Sequence, residues 1–213
     1  MPIAVVVGMK SEAALVAVQV VCSGGVTARA EALARRLLAE GASGLLSFGI
    51  AGGLAPALMP GAIVVGTEVD GIPCDPAWTE RLHATLPEAV AGPVRGVELA
   101  AASPEAKAAL RIGGALAVDM ESGAVARVCQ EAGKPFAVLR AVADPYDRGL
   151  PVAALSGLDG DGNPRPFKVM AELLRRPSDL PGLIRVALDS RAALLALGAA
   201  ARRLGPALGH QPA

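Results

Sequence analysis

Between residues 3 and 142, short continuous apolar runs alternate with longer stretches whose apolar residues recur at helical spacing. Runs so short and so uniformly apolar suit strands buried on both faces, so the alternation predicts an α/β fold, a sheet covered by helices. Residues 3–7 form the first run and stop at Gly8; residues 15–21 form a second and stop at Ser23-Gly24-Gly25. Both read as central strands. From Val26 to Glu40, Ala30, Leu33, Leu37 and Leu38 recur at helical spacing, and Gly41 closes the segment as a C-terminal glycine does. Residues 45–48 read as a strand that runs into Gly49-Ile50-Ala51-Gly52-Gly53, a glycine loop where backbone can approach a ligand with no Cβ in the way.

The alternation continues with a strand at residues 62–69 after the Pro60-Gly61 turn, a helix at 76–86 and a strand at 94–99. Ser103 then caps a helix over 105–110, with Pro104 in its first turn. A strand at 115–118 leads through Asp119-Met120-Glu121-Ser122 into a helix ending near Ala132, and residues 136–142 are the last strand. Beyond Pro151 the texture changes: residues 157–166 read as a polar loop, followed by helices at about 167–175 and 180–203. In the last helix Leu180, Ile184, Leu188 and Leu195 lie near one stripe, as expected of a helix packed on the sheet. The alternative sets Arg175, Arg176, Arg202 and Arg203 against a membrane surface. All of residues 1–213 are expected to form a single domain, with helices 167–203 packed on it.

Charge and composition narrow the partner. Twenty Lys and Arg balance twenty Asp and Glu, and aromatics are only 2% of the chain, so both the basic footprint and the stacking platforms of a nucleic-acid binder are missing. A small or apolar partner is expected. Cys22, Cys74 and Cys129 are widely spaced and read as reduced thiols, and Lys10 and Glu12 interrupt the apolar start before a signal-peptide core could form. A cytoplasmic protein is expected.

Several chemistries fail on spacing. Val7-Gly8-Met9-Lys10 offers one glycine where a dinucleotide fold needs three, and neither a phosphate-binding P-loop nor a serine elbow occurs. His83 and His210 give little material for a histidine-centred metal site or triad. Carboxylates remain, and Glu12, Asp119 with Glu121, and Asp144 each fall where a buried strand ends, the usual place for ligands in an α/β sheet.

Four motifs in order now carry a resemblance: Gly8-Met9-Lys10-Ser11-Glu12, Gly49-Ile50-Ala51-Gly52-Gly53-Leu54, Asp119-Met120-Glu121 and Arg140-Ala141-Val142-Ala143-Asp144. Together they resemble the purine nucleoside phosphorylase and nucleosidase superfamily, within it the methylthioadenosine/S-adenosylhomocysteine nucleosidases, and most of all the hopanoid-biosynthesis-associated phosphorylase-like proteins. The resemblance implies a three-layer nucleoside-phosphorylase-like fold with a central mixed, twisted sheet flanked by helices. It implies cleavage of a purine N-glycosidic bond, and for hopanoid members release of adenine from adenosylhopane, a lipid nucleoside.

Carried over position by position, Asp144 matches the acid that protonates purine N7 and Glu12 the carboxylate that deprotonates the attacking water. Glu121 matches the acceptor for the ribose hydroxyls, and Met120 the residue packed on the sugar. Asp119, Gly49, Ile50, Ala51, Gly52 and Arg140 complete the expected binding surface. If Arg140, four residues upstream on the same strand face, were close to Asp144, it would lower that acid's pKa, whereas a dry pocket would raise it. The resemblance further implies a homodimer, no metal and no cofactor, with phosphate as the only candidate co-substrate and peripheral contact with the inner membrane face as an option.

This chain departs from the family pattern in three places. Phosphorolytic members bind phosphate through an arginine and a serine around the glycine loop, where this sequence has Ser47 and Ile50; an apolar Ile50 offers an anion no bond, which favours water as nucleophile. Ala143 stands where nucleosidases have a serine beside the acid, and residues 100–103 lack the aromatic that stacks on the purine. Two other readings remain open at this level: a methylthioadenosine salvage enzyme, and a nucleoside-binding regulatory module without activity.

Overall fold

The computed structural model describes residues 2–151, 154 and 166–211. Among the described residues eight strands form one mixed sheet: β1 (Ala4–Val7), β2 (Gln19–Cys22), β3 (Leu45–Gly53), β4 (Ile63–Val69), β5 (Ile72–Pro73), β6 (Val90–Gly96), β7 (Ala117–Asp119) and β8 (Phe136–Asp144). Their order is β2-β1-β3-β7-β6-β4-β5, and β8 pairs with both β3 and β4. Because β8 bridges β3 and β4, strands β3, β7, β6, β4 and β8 close on themselves. Strand β8 runs parallel to β3, with Gly49 opposite Arg140 and, after a register shift, Gly52 opposite Asp144.

Alternating side chains divide the core between the two sheet faces, as the pleat requires. On one face Ala4, Val6, Leu45 and Val138 pack beneath α2 (Thr27–Ala39) and α5 (Ser122–Ala132), which contribute Ala30, Ala34, Leu37, Val125 and Val128. On the other, Val5, Val7, Phe48 and Leu139 meet α3 (Pro76–Thr85) and the final helix, through Trp78, Leu82, Leu197 and Ala200. This helix–sheet–helix layering is the expected architecture. Short helices α1 (Lys10–Ala13) and α4 (Pro104–Leu110), then α6 (Pro166–Arg175) and α7 (Leu180–Leu204), are the other described α-helices. No helix among the described residues is long and apolar enough to cross a membrane.

Five expectations need correction. Residues 15–18 are not strand: α1 occupies residues 10–13, and Leu15, Val16 and Val18 pack on the core from the connection to β2. Strand β2 is an edge strand and only partly buried. The glycine segment at 49–53 is not a loop, because β3 continues through Gly53 and pairs with β8 and β7. Strand β6 begins at Val90 rather than Val94; Pro93 falls at an irregularity in its register with β4, a setting that tolerates a residue without an N–H.

The fifth concerns α7. Leu180, Ile184, Leu188 and Leu195 are exposed, while the sheet receives Ala193, Leu197, Ala200 and Ala201. Small residues on the packed side let the helix approach closely. Of the C-terminal arginines, Arg203 turns back to Glu88 and to the Thr85 carbonyl at 2.5 Å, and Arg175 pairs with Glu172 at 3.1 Å. The polar loop expected at 157–166 lies, but for Pro166, outside the described residues.

Candidate active site

A cavity of about 570 Å³ opens at the C-terminal ends of β1, β3, β7 and β8. Its lining includes Gly8, Met9, Glu12, Asp119, Glu121 and Asp144, together with Ile50, Ala51, Gly52 and Met120. Leu150, Val169, Leu183, Val186 and Ala187 add an apolar part to the lining. Four segments distant in sequence thus deliver every residue expected at the site except Gly49 and Arg140 directly to the cavity surface, and those two lie beneath it.

Glu12 sits in the first turn of α1, 2% exposed, where its carboxylate gathers three backbone N–H groups: Gly8 at 2.9 Å and Met9 at 2.8 Å on Oε2, and Ile50 at 2.8 Å on Oε1. A helix N-terminus is the natural place for an acceptor. Burial nevertheless dominates and raises its pKa, opposed by these bonds and by the Arg140 charge.

Arg140 is fully buried at the centre of β8. Its Nη2 donates to Ser47 Oγ at 2.6 Å, Asp119 Oδ1 at 2.9 Å and Ser122 Oγ at 3.1 Å, while Nε and Nη1 have no protein acceptor among the described residues. Nη1 lies 3.7 Å from Glu121 Oε2. Asp119 is consumed by this work: besides Arg140 it accepts from the backbone N–H of Glu121 at 2.8 Å and of Ser122 at 2.7 Å, and it bonds Ser122 Oγ. Its carboxylate anchors the guanidinium and the start of α5.

Glu121, which follows β7, accepts from Ser23 Oγ at 3.0 Å. Burial, together with the nearby Asp119 and Glu12 charges, outweighs Arg140 and Ser23 and pushes its pKa up to about 7. Gly8 makes this placement sterically feasible, since a Cβ there would stand 2.7 Å from Glu121 Oε1.

Asp144 ends β8 and also lines the cavity. Sequence reasoning set Arg140 against it, but Arg140 belongs to the Glu12–Glu121 cluster and the cation at Asp144 is Lys107, with Nζ 2.5 Å from Oδ2. Burial still raises the Asp144 pKa, against the lowering pull of Lys107. Lys107 was not anticipated because a lysine among alanines on a short helix reads as a solvated charge; nothing local signals its burial. Ser23 and Ser122 were equally hidden, each gaining its role only by tertiary approach.

The model of the phosphorylase superfamily matches residues 13–156, about two thirds of the chain. The chain belongs to the phosphorylase superfamily. Solved structures support the superfamily fold at low identity. An S-adenosylhomocysteine nucleosidase from Streptococcus pyogenes, in complex with 5-methylthiotubericidin, has 18% identity over 89% of this chain and 96% of its own, with a TM-score of 0.64. The 5'-methylthioadenosine/S-adenosylhomocysteine nucleosidase from Helicobacter pylori, with butyl-thio-DADMe-Immucillin-A, has 18% identity over 95% and 98%, with a TM-score of 0.66. Futalosine hydrolase from Helicobacter pylori gives 16% identity over 95% and 97%, and a TM-score of 0.65. The superfamily match ends before α6 and α7, so the apolar wall of the cavity comes largely from the part of the chain outside it.

Proposed function

We propose that this phosphorylase-superfamily enzyme hydrolyses the N-glycosidic bond of an adenine nucleoside carrying a large apolar 5' substituent, with adenosylhopane as the substrate. The observation that carries this reading is that one cavity is lined both by carboxylates at strand ends and by a run of apolar side chains, most of them from α6 and α7. Glu12, Glu121 and Asp144 suit a purine riboside, while Leu150, Leu183, Val186 and Ala187 suit a greasy tail.

Each carboxylate takes a separate task. Water attacks C1' of the ribose as the C1'–N9 bond breaks; the bonding pair passes to adenine, and Asp144 gives its proton to N7. Glu12 receives the proton of the attacking water, its raised pKa bringing it closer to the operating pH where a general base is most effective. Glu121 accepts from the ribose hydroxyls, and its charge stabilises the cationic sugar of the transition state. Arg140, with Nη1 unspent, balances the two glutamates. Water is favoured over phosphate because an anion beside Ile50 would meet the Glu12 and Glu121 carboxylates and find no bond from the Ile50 side chain.

The second reading, methylthioadenosine hydrolysis, draws on the nucleosidases of the same fold. Adenine release from adenosylhopane in detergent, with and without phosphate and beside methylthioadenosine, separates them. The expected result is phosphate-independent release, faster from the lipid nucleoside, and its loss in Asp144→Asn. Strict phosphate dependence would convert the assignment to a phosphorylase, and adenine binding without release from either substrate would leave a binding module.

A further inference from the structure

Lys107 is 1% exposed, on the face of α4 turned toward the end of β8. Lysine is almost never so buried without a partner. Its Nζ lies 2.5 Å from Asp144 Oδ2, donates to the backbone carbonyls of Pro145 at 2.7 Å and Arg148 at 2.8 Å, and stands 3.4 Å from that of Asp144 itself. An ammonium has three N–H donors, and the three nearest oxygens use all of them.

We propose that Lys107 is the positioning residue of the general acid, holding Asp144 Oδ2 so that the transferable proton resides on Oδ1, and stabilising the carboxylate left after transfer. This rests on the reading of Asp144 as the acid that protonates the purine. Oδ2 is occupied as an acceptor, whereas no donor among the described residues reaches Oδ1, and the residue lines the cavity. The proton therefore sits on the oxygen free to face a base. When it leaves, negative charge develops beside a fixed ammonium in a site largely shielded from water, the arrangement in which a charge stabilises most. Alanine at position 143 offers no hydroxyl for this task. The other charges around Asp144 are Arg148 on its own loop and Asp189 on α7, which pair with each other at 2.6 Å; β3 brings uncharged Gly52 alongside.

The test is the pH profile of adenine release by Lys107→Met and Lys107→Gln, two variants in case one does not fold. A general acid loses activity as it ionises, so removing the ammonium moves the alkaline limb of kcat/KM upward, by about one pH unit or more. It also lowers kcat roughly 10- to 100-fold, leaving KM nearly unchanged. A lysine that only fastened α4 to the loop would change the melting temperature and leave the limb in place. The pair is read independently in Asp144→Leu, which removes the acceptor from a buried ammonium and melts several degrees lower at pH 7 than Asp144→Asn, which keeps a carbonyl in its place. A folded Lys107 variant with an unmoved alkaline limb overturns the proposal; should neither variant fold, an Asp144→Leu protein that melts no lower than Asp144→Asn does so. An active Asp144→Asn enzyme removes the general-acid reading itself, whereas an inactive one beside unshifted Lys107 variants removes only the role of Lys107.

Discussion

Gly49 separates two groups that must converge. A Cβ at this position would stand 2.6 Å from Arg140 Nη1 and 2.7 Å from Glu12 Oε1, so only a bare backbone lets the guanidinium approach the carboxylate across β3. Both neighbours are buried and tied down, Glu12 by three backbone N–H groups and Arg140 by Asp119 and two serines, so neither moves aside cheaply. Gly49→Ala is expected to cost about 1–3 kcal/mol of stability, as overpacking does. The rate should suffer more, by roughly 100-fold, because small displacements in a positioned site are amplified. Denaturant titration and adenine release measured on one preparation check both; an alanine variant with unchanged turnover would show that the approach of Arg140 to Glu12 is irrelevant to the reaction.

At the scale of elements, apolar runs announce strands because burial on both faces requires them, and β1, β4 and β8 lie close to where the runs lie. The acids at Glu12, Glu121 and Asp144 follow or end apolar runs, and the cavity gathers all three; Asp119 ends such a run too, yet its carboxylate serves the structure through Arg140 and the start of α5. What was not legible depends on partners. Strand β3 outlasts its apolar residues because β8 and β7 supply its hydrogen bonds, and glycine carries no side chain to advertise that. Helix α7 misled because it has two apolar faces. Leu183, Val186, Ala187 and Ser190 continue at helical spacing into Ala193, Leu197, Ala200 and Ala201, so a single stripe lines the cavity with its first half and packs on the sheet with its second. Enlarging the first half should therefore act on specificity rather than fold. Ala187→Trp is expected to reduce turnover of nucleosides with long apolar 5' substituents at least about tenfold while sparing methylthioadenosine, since a pocket discriminates by the volume it leaves. Equal losses on both substrates would place the apolar tail elsewhere.

For the whole molecule, the site exacts a pH-dependent cost. Burial raises the pKa of Glu12 and Asp144 and brings Glu121 from 4.5 to about 7, so around these values the native state binds more protons than the unfolded chain. An acid with a raised folded pKa contributes stability that is complete below its unfolded value and lost as pH rises through the folded one. For Glu121 the window runs from 4.5 to about 7, and the contribution is on the order of 3 kcal/mol. His210, whose pKa burial lowers, works in the opposite direction below its ordinary range. Two buried carboxylates and a half-buried one against one partly buried ring give a net expectation: unfolding free energy falls as pH rises from 5 to 8. Glu121→Gln keeps an acceptor for Ser23 and removes the charge. It is expected to flatten that slope and to melt higher than the unsubstituted protein at pH 8, even as adenine release collapses. A stability slope unchanged by the substitution would locate the ionisation elsewhere. The flattened slope would mean that the charge which stabilises the cationic sugar is the same charge that destabilises the empty fold, so the enzyme works in the pH range where its own structure is weaker.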